Sequence, residues 1–292
     1  MGDAEQSVTY ADRSGDAFQR MARRTTHAGA LHQAGRRAEA ETRFREAEQM
    51  QAASQPANPL LYGLGAFRYC DLLVAAPERT AWQTILSLNP QPSTFNLSEV
   101  SQRAAQTLKW AQDGNLLLLT IALDHLTLGR AALFAAILER SAAFTPLQGP
   151  NESAAPNDDE RRSDLKVALQ TARRELDAAV DGLRHAGTTH HIPRGLLTRA
   201  WLRFLTGART GPESAQEDLD EAWEIAERGP MKLFLADIHL HRARLFFREK
   251  SYPWKSPQDD LAAAEKLIND SSYHRRDEEL ADAKEASKNW FD

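Results

Sequence analysis

Only twelve of the 292 residues are Val or Ile, against 47 Ala and 36 Leu. Ala and Leu are strong helix formers, whereas β-branched side chains lose freedom in a helix and favour strands. A sheet protein of this size could hardly be built from so few of them. An α/β enzyme is equally disfavoured, because a parallel sheet buried on both faces needs Val/Ile-rich runs. The expected fold class is therefore all-α. A 42% hydrophobic, 26% charged composition describes a packed globular chain and not a disordered one. The longest apolar stretch, 116–123, runs straight into Asp124 and His125. It falls short of the ~20 apolar residues a membrane span needs. The N-terminus has no basic region followed by an apolar core, so it does not read as a signal peptide. Cys70 is the single cysteine, which allows no internal disulfide and no cysteine-based zinc site. A reducing cytoplasm is the simplest compartment. From residue 212 onward there are 19 acidic and 12 basic residues; the rest of the chain has 24 basic and 22 acidic. Neither part is basic enough for a nucleic-acid footprint.

Helical patterns follow one another, separated by Gly, Pro or Asn. They are expected at about 16–33, 37–53, 59–76, 97–112, 115–140, 161–186, 193–207, 213–228, 231–249, 256–270 and 274–289, with a short one at 78–87. Gly35 stands where a left-handed C-cap would need it. Asp113-Gly114-Asn115 separates two further helices, and Gly229-Pro230 stops another. Ser256-Pro257 before Asp259 and Asp260 reads as a capped helix start. The stretches 89–96 and 141–160 read as loops, the second one mobile and projecting from a hairpin tip.

One segment has a fixed internal frame. Ala28 and Leu31 share a face of one helix, Gly35 turns the chain, and Ala40, Phe44 and Ala47 share a face of the next. Small residues let two antiparallel helices approach, and Leu31 and Phe44 fill the remaining space. The second-helix spacing recurs at Ala4, Val8 and Ala11 and at Ala215, Leu219 and Ala222, with a partial copy at Ala263 and Leu267. The helices at 115–140 and 161–186 are unusually long; the second carries an apolar stripe through Leu165, Ala168, Leu169, Ala172, Leu176, Ala179, Val180 and Leu183.

This frame resembles the tetratricopeptide repeat (TPR), a helix–turn–helix unit of about 34 residues. Arg24 stands where the family often has a tryptophan. Segments 67–73, 122–130, 190–196 and 273–280 are similar to a bacterial TPR group that forms the C-terminal arrays of larger signalling or defence proteins. The resemblance implies a right-handed superhelical solenoid of antiparallel helix pairs, five to six in number, over a single domain 1–292. Because the first copy lacks its partner helix, the chain is expected to be a fragment of a longer protein, opened mid-repeat.

No phosphate loop, dinucleotide fingerprint or nucleophile elbow is present. His239 and His241 are two apart and diverge by about 200° on a helix, so they cannot share one ion. His190 and His191 read as polar connectors before a helix start. Asp124, His125 and Arg130 sit in an apolar helix and point apart. Each needs a partner on another helix, and groove function and structural pairing stand even. Cys70 reads as a buried, inert thiol. In TPR arrays the first helix of each pair lines the concave surface. The resemblance thus nominates Arg68, Asp71, Arg194, Arg199, Asp237, His241 and Arg244 for partner binding, and Asp124 and Arg130 join them.

The expected function is non-enzymatic: capture of a protein or peptide, or of an adjoining domain of the same polypeptide, in a concave groove. No cofactor, metal, nucleic acid or membrane is expected. Two other readings stand beside it. One is a helical metal or enzymatic site around His190, His191, Asp237 and His241. The other is oligomerisation through the long central helices. Charge reversal at Arg68, Arg194 and Arg199 together is expected to abolish capture without lowering the melting temperature.

Overall fold

The computed structural model describes residues 2–88, 95–142 and 158–290, all of it helix and connecting turn, with no strand among them. Thirteen α-helices follow in order: α1 (Gly2–Ser14), α2 (Ala17–Gln33), α3 (Arg37–Ser54), α4 (Gly63–Leu73), α5 (Ala75–Ile85), α6 (Leu97–Asp113), α7 (Leu118–Ala142), α8 (Asp158–His185), α9 (Ile192–Leu205), α10 (Ala215–Arg228), α11 (Lys232–Phe246), α12 (Pro257–Asp270) and α13 (Asp277–Ser287). Short 3-10 turns at Thr189–His191 and His274–Arg276 lead into α9 and α13. The expected loops 89–96 and 141–160 fall largely outside the described residues.

The helix ends follow their sequence signals. Asp16, Asn96, Ser214 and Ser256 each accept a backbone N–H three residues on. After α2 the chain turns at Gly35, whose φ is +75°; Arg36 N–H bonds Leu31 C=O at 2.9 Å. That 6→1 bond is the Schellman stop, and a residue with a Cβ resists the left-handed conformation it needs. After α6 the left-handed residue is Asn115 and not its neighbour Gly114. A single helix was expected over 59–76; the chain instead breaks at Val74 and begins α5 at once. Pro77 explains this: it offers no N–H and crowds the carbonyl four residues back, yet it is tolerated in a first turn.

Consecutive helices pack on one another: α2 on α3, α6 on α7, α7 on α8, α9 on α10, α11 on α12. In the α2/α3 unit, Ala28, Leu31, Ala40, Phe44 and Ala47 are all buried, and the Phe44 ring stacks on Tyr69 of α4. Ala215, Leu219 and Ala222 are buried in the same way. The partial copy is displaced by one residue: Ala264 and Ile268 face the core, where Ala263 and Leu267 were expected to. The long pair α7/α8 runs antiparallel, with Gly182 against Ala122 and Gly129 against Leu176. A Cβ on Gly129 would lie 2.6 Å from Leu176 Cδ2, so glycine is what allows the backbones this close. Leu176, Val180 and Leu183 are fully buried, each stabilising the fold by about 1.5–3 kcal/mol. One expectation from the sequence needs correcting here. Leu118–Glu139 of α7 is long and apolar enough to cross a membrane, with two-thirds (67%) of that span buried against the chain's own helices.

The last helix and its leading turn return to α2 and α5. Helix α2 touches the 274–276 turn, and α5 touches α13. A Cβ on Gly35 would lie 3.1 Å from the Cβ of His274. Helix α5 is the strut that spans this closure, with Arg79 clamping Asp282 at 2.7 Å and also Glu278, while Gln83 bonds Asp282 at 3.0 Å.

Candidate functional site

Charged side chains from early and late helices meet in one buried interior. Trp82 of α5 anchors it. Its ring stacks on Trp201 of α9 at 3.6 Å, and the His241 ring meets it edge-on at 5.0 Å. Arg244 lies 3.9 Å over the same ring and is 0% exposed. A guanidinium taken wholly out of water requires a partner. Glu279 of α13 supplies it at 2.7 Å, and the Leu240 carbonyl accepts from Nε.

Around this anchor the charges interlock. Asp71 and Glu78 come from α4 and α5, Arg130 from α7, Asp237 from α11, and Arg275, Arg276 and Glu279 from the last turn and α13. Arg130 bridges Asp71 (2.7 Å) and Glu78 (2.9 Å). Arg275 engages Asp71 through both terminal nitrogens. Arg276 donates to Asp237 at 2.8 Å, to Glu78 at 3.2 Å and also to Glu279. The Tyr273 hydroxyl donates to Asp237 at 3.0 Å. These residues are buried, so each pair gains from a low dielectric what it lost in hydration only because the geometry is multidentate.

The electrostatics follow from this packing. Burial raises the Asp71 and Glu78 carboxyls, but the surrounding guanidiniums outweigh it and hold both well below the usual range. His32 and His241 are each pushed down to about 3, first by burial and then by nearby arginines, so both imidazoles are neutral. His241 instead donates its Nδ1 proton to the Asp237 carbonyl at 2.7 Å.

The nominated residues therefore divide. Asp71, Arg130, Asp237, His241 and Arg244 converge on this one interior, and Arg194 borders it. Arg68, half-buried, donates to Thr26 Oγ1 at 3.1 Å. Asp124 and Arg199 lie elsewhere. Asp124 accepts from Thr107 of α6 at 2.8 Å, and burial raises its carboxyl to about 7. Arg199 is buried against Asp218 of α10, at 3.1 and 2.7 Å. Reversal at Arg199 would press two carboxylates together, so the expected triple reversal with Arg68 and Arg194 could not leave stability intact. Asp124, His125 and Arg130 do find partners on other helices, as their spacing required. His125 meets Glu175 of α8 at 2.6 Å.

Other candidates separate as well. His239 faces Asp260 of α12 at 2.5 Å, while His241 faces Trp82 on the opposite side. The rings of His190 and His191 lie 4.3 Å apart, remote in their contacts from Asp237. No group of three or more His, Cys, Asp or Glu side chains suited to a metal occurs among the described residues. Cys70 is buried, its thiol pushed up to about 12 by desolvation. Sequence reasoning missed Glu78, Trp82, Trp201, Arg275, Arg276 and Glu279. The tandem Arg275-Arg276 before an acidic run was the one local signal. The partners it needed lie about 200 residues away.

Two openings adjoin the interior. A cleft of about 740 Å³ lies along the closure, lined by the Ala34–Arg37 turn, by Ala76, Arg79 and Gln83 of α5, and by His274–Glu279. A cavity of about 40 Å³ lies within the charge network beside Arg194, Thr198 and Phe234. Comparison with protein-family models, curated proteins and solved structures finds no match to this chain.

Proposed function

We propose that the chain is a non-enzymatic interaction module: a TPR-like superhelix of helix pairs, cytoplasmic, that captures a peptide or partner domain along its closure. The observation that carries this reading is the 740 Å³ cleft between the α2–α3 turn, α5 and the 274–279 segment. The concave face of such an array normally receives the partner. Here Asp71, Arg130, Asp237 and Arg244 already spend hydrogen bonds on other groups of the chain, which moves the accessible surface to the rim. The rim offers Arg36 and Arg37 on one side and Asp277 and Glu278 on the other. Opposed charges of this kind set orientation and on-rate more than affinity. An adjoining domain of the same polypeptide would fit the same surface.

The test is selection of peptides from a random library on the purified chain, followed by binding measurements on variants. Ala76→Trp, which fills the cleft, should weaken selected peptides at least tenfold, while Lys109→Glu outside it should not. Peptides that bind both variants alike, or a selection that enriches nothing, would overturn the reading.

A further inference from the structure

The guanidiniums at the interior are not all paired with carboxylates. The four buried carboxylates of the network, Asp71, Glu78, Asp237 and Glu279, face six guanidiniums, counting the two at its border. Four of the six have a carboxylate oxygen within hydrogen-bond distance. Arg68 and Arg194 do not. Arg68 bonds only a hydroxyl, that of Thr26. Arg194 NH1 stops 3.8 Å short of Asp71, whose oxygens are already taken by Arg130 and Arg275. Two guanidiniums at the border of the interior, Arg68 half-buried and Arg194 with 32% of its side chain exposed, thus lack a carboxylate within hydrogen-bond distance.

The geometry around these two side chains is built and not incidental. The Arg194 guanidinium is held between the rings of Phe67 and Phe234, at 5.5 and 5.1 Å. Its Nε is buried with no acceptor. His191, one turn before it and 9% exposed, presents a buried Nδ1 that is also without a partner. The Arg275 Nε on the cavity wall is a third unsatisfied donor. The side chain of Arg68 lies against Gly29, where a Cβ would come within 3.3 Å of it. Buried donors left unpaired are costly, and a planar guanidinium is suited to phosphate-type oxygens. The neighbouring cavity of about 40 Å³ has room for about three water-sized groups.

We propose that Arg68 and Arg194 form an oxyanion site on the Arg194 side of this cavity, taking a phosphate-type dianion. Its two charges would meet these two arginines, and its oxygens would accept from Arg194 Nε and from His191. Burial, and after it the Arg194 charge, lowers the Arg68 pKa; burial, and after it the nearby cations, brings His191 down to about 4, so its imidazole is neutral. Neither effect requires peptide capture, so this site stands apart from the cleft.

The experiment is titration of the full chain with inorganic phosphate at pH 7.5, by calorimetry and by melting temperature, against chloride at equal ionic strength. O-phosphoserine serves as a second probe. Saturable binding of phosphate with a rise in melting temperature is expected. Binding of phosphoserine alone would show the same site serving a phosphoryl group on a larger ligand. Arg68→Gln and Arg194→Gln should each weaken binding at least tenfold, and Arg68→Lys, which keeps the charge, less than that. Without the anion, Arg68→Met should melt no lower than the parent, because it removes an unmatched charge. No saturable response to either probe, an equal response to chloride, or undiminished binding by the Arg68→Gln, Arg194→Gln pair would overturn the site.

Discussion

The central pair α7/α8 and the closure between α5 and α13 hold the chain together by opposite means, the first through a long packed interface and the second through a small, charged one. The central pair is apolar and local: Gly129 and Gly182 bring the backbones together, and Leu176, Val180 and Leu183 fill the gap. Most of its stability comes from burial and dispersion, which depend little on pH, with the His125–Glu175 pair and the buried Asp124 as its titratable exceptions. The closure joins residues about 200 apart through Asp71, Glu78, Arg275 and Arg276. Its charges were expensive to dehydrate, so it contributes less net stability than its bonds suggest. What it does fix is partner identity: Asp71, Glu78, Arg130, Arg275 and Arg276 satisfy one another in this arrangement. The helix pairs are thus held by packing, and the contact of α4 and α5 with the last turn and α13 is held by charge.

The largest separation between the two regions should come from removing one partner of the closure. Glu78→Gln leaves Arg130, Arg275 and Arg276 short of one charge and should cost about 3–5 kcal/mol in urea unfolding. Its cost should shrink below about pH 4. Asp71 and Glu78 have depressed pKa values in the fold, so their stabilisation is present above the unfolded range of about 4 and is lost as pH falls. Leu176→Ala in the central pair should cost about 2–5 kcal/mol with no such pH dependence. If its cost also collapses in acid, the distinction between the regions fails.

Asp124 sharpens the comparison with the opposite sign. Its folded pKa is raised to about 7 by burial, so the fold favours its neutral form. That stabilisation is complete below the unfolded value near 4 and is lost as pH rises toward 7. Asp124→Asn should therefore stabilise by about 2–4 kcal/mol at pH 8 and by little at pH 4, read from urea midpoints. A smaller effect follows for Gly129→Ala, whose new methyl group meets Leu176. We expect about 1–3 kcal/mol of destabilisation, reduced in a Leu176→Ala background. The smallest belongs to the rim: Arg79→Ala releases Asp282 and Glu278 where water screens them and should cost about 1 kcal/mol.

These regions also differ in how far the sequence disclosed them. Ala28, Leu31, Ala40, Phe44 and Ala47 were readable because helical periodicity places contacts three and four residues apart. The break at Val74 was missed by a turn, although Pro77 was its cause. The closure was not readable. Nothing local ties Glu78 to Arg276, and a buried carboxylate looks like a surface one until its partners are known. Asp71, Arg130, Asp237, His241 and Arg244, singled out from the sequence, do share one interior. Their spacing gave no sign that the last turn would fill that interior, nor that Asp124 and Arg199 would be drawn into pairs with Thr107 and Asp218.

The contact of the α2–α3 turn and α5 with the 274–279 segment is the feature on which the interior depends. The direct measurement is a spin-label distance between cysteines placed at Arg37 and Asp277, both on the rim. Cys70 is buried and leaves the labelling selective. Closure predicts one short, narrow distance distribution that broadens when Glu78→Gln is added. A long or broad distribution in the parent chain, unchanged by Glu78→Gln, would contradict it.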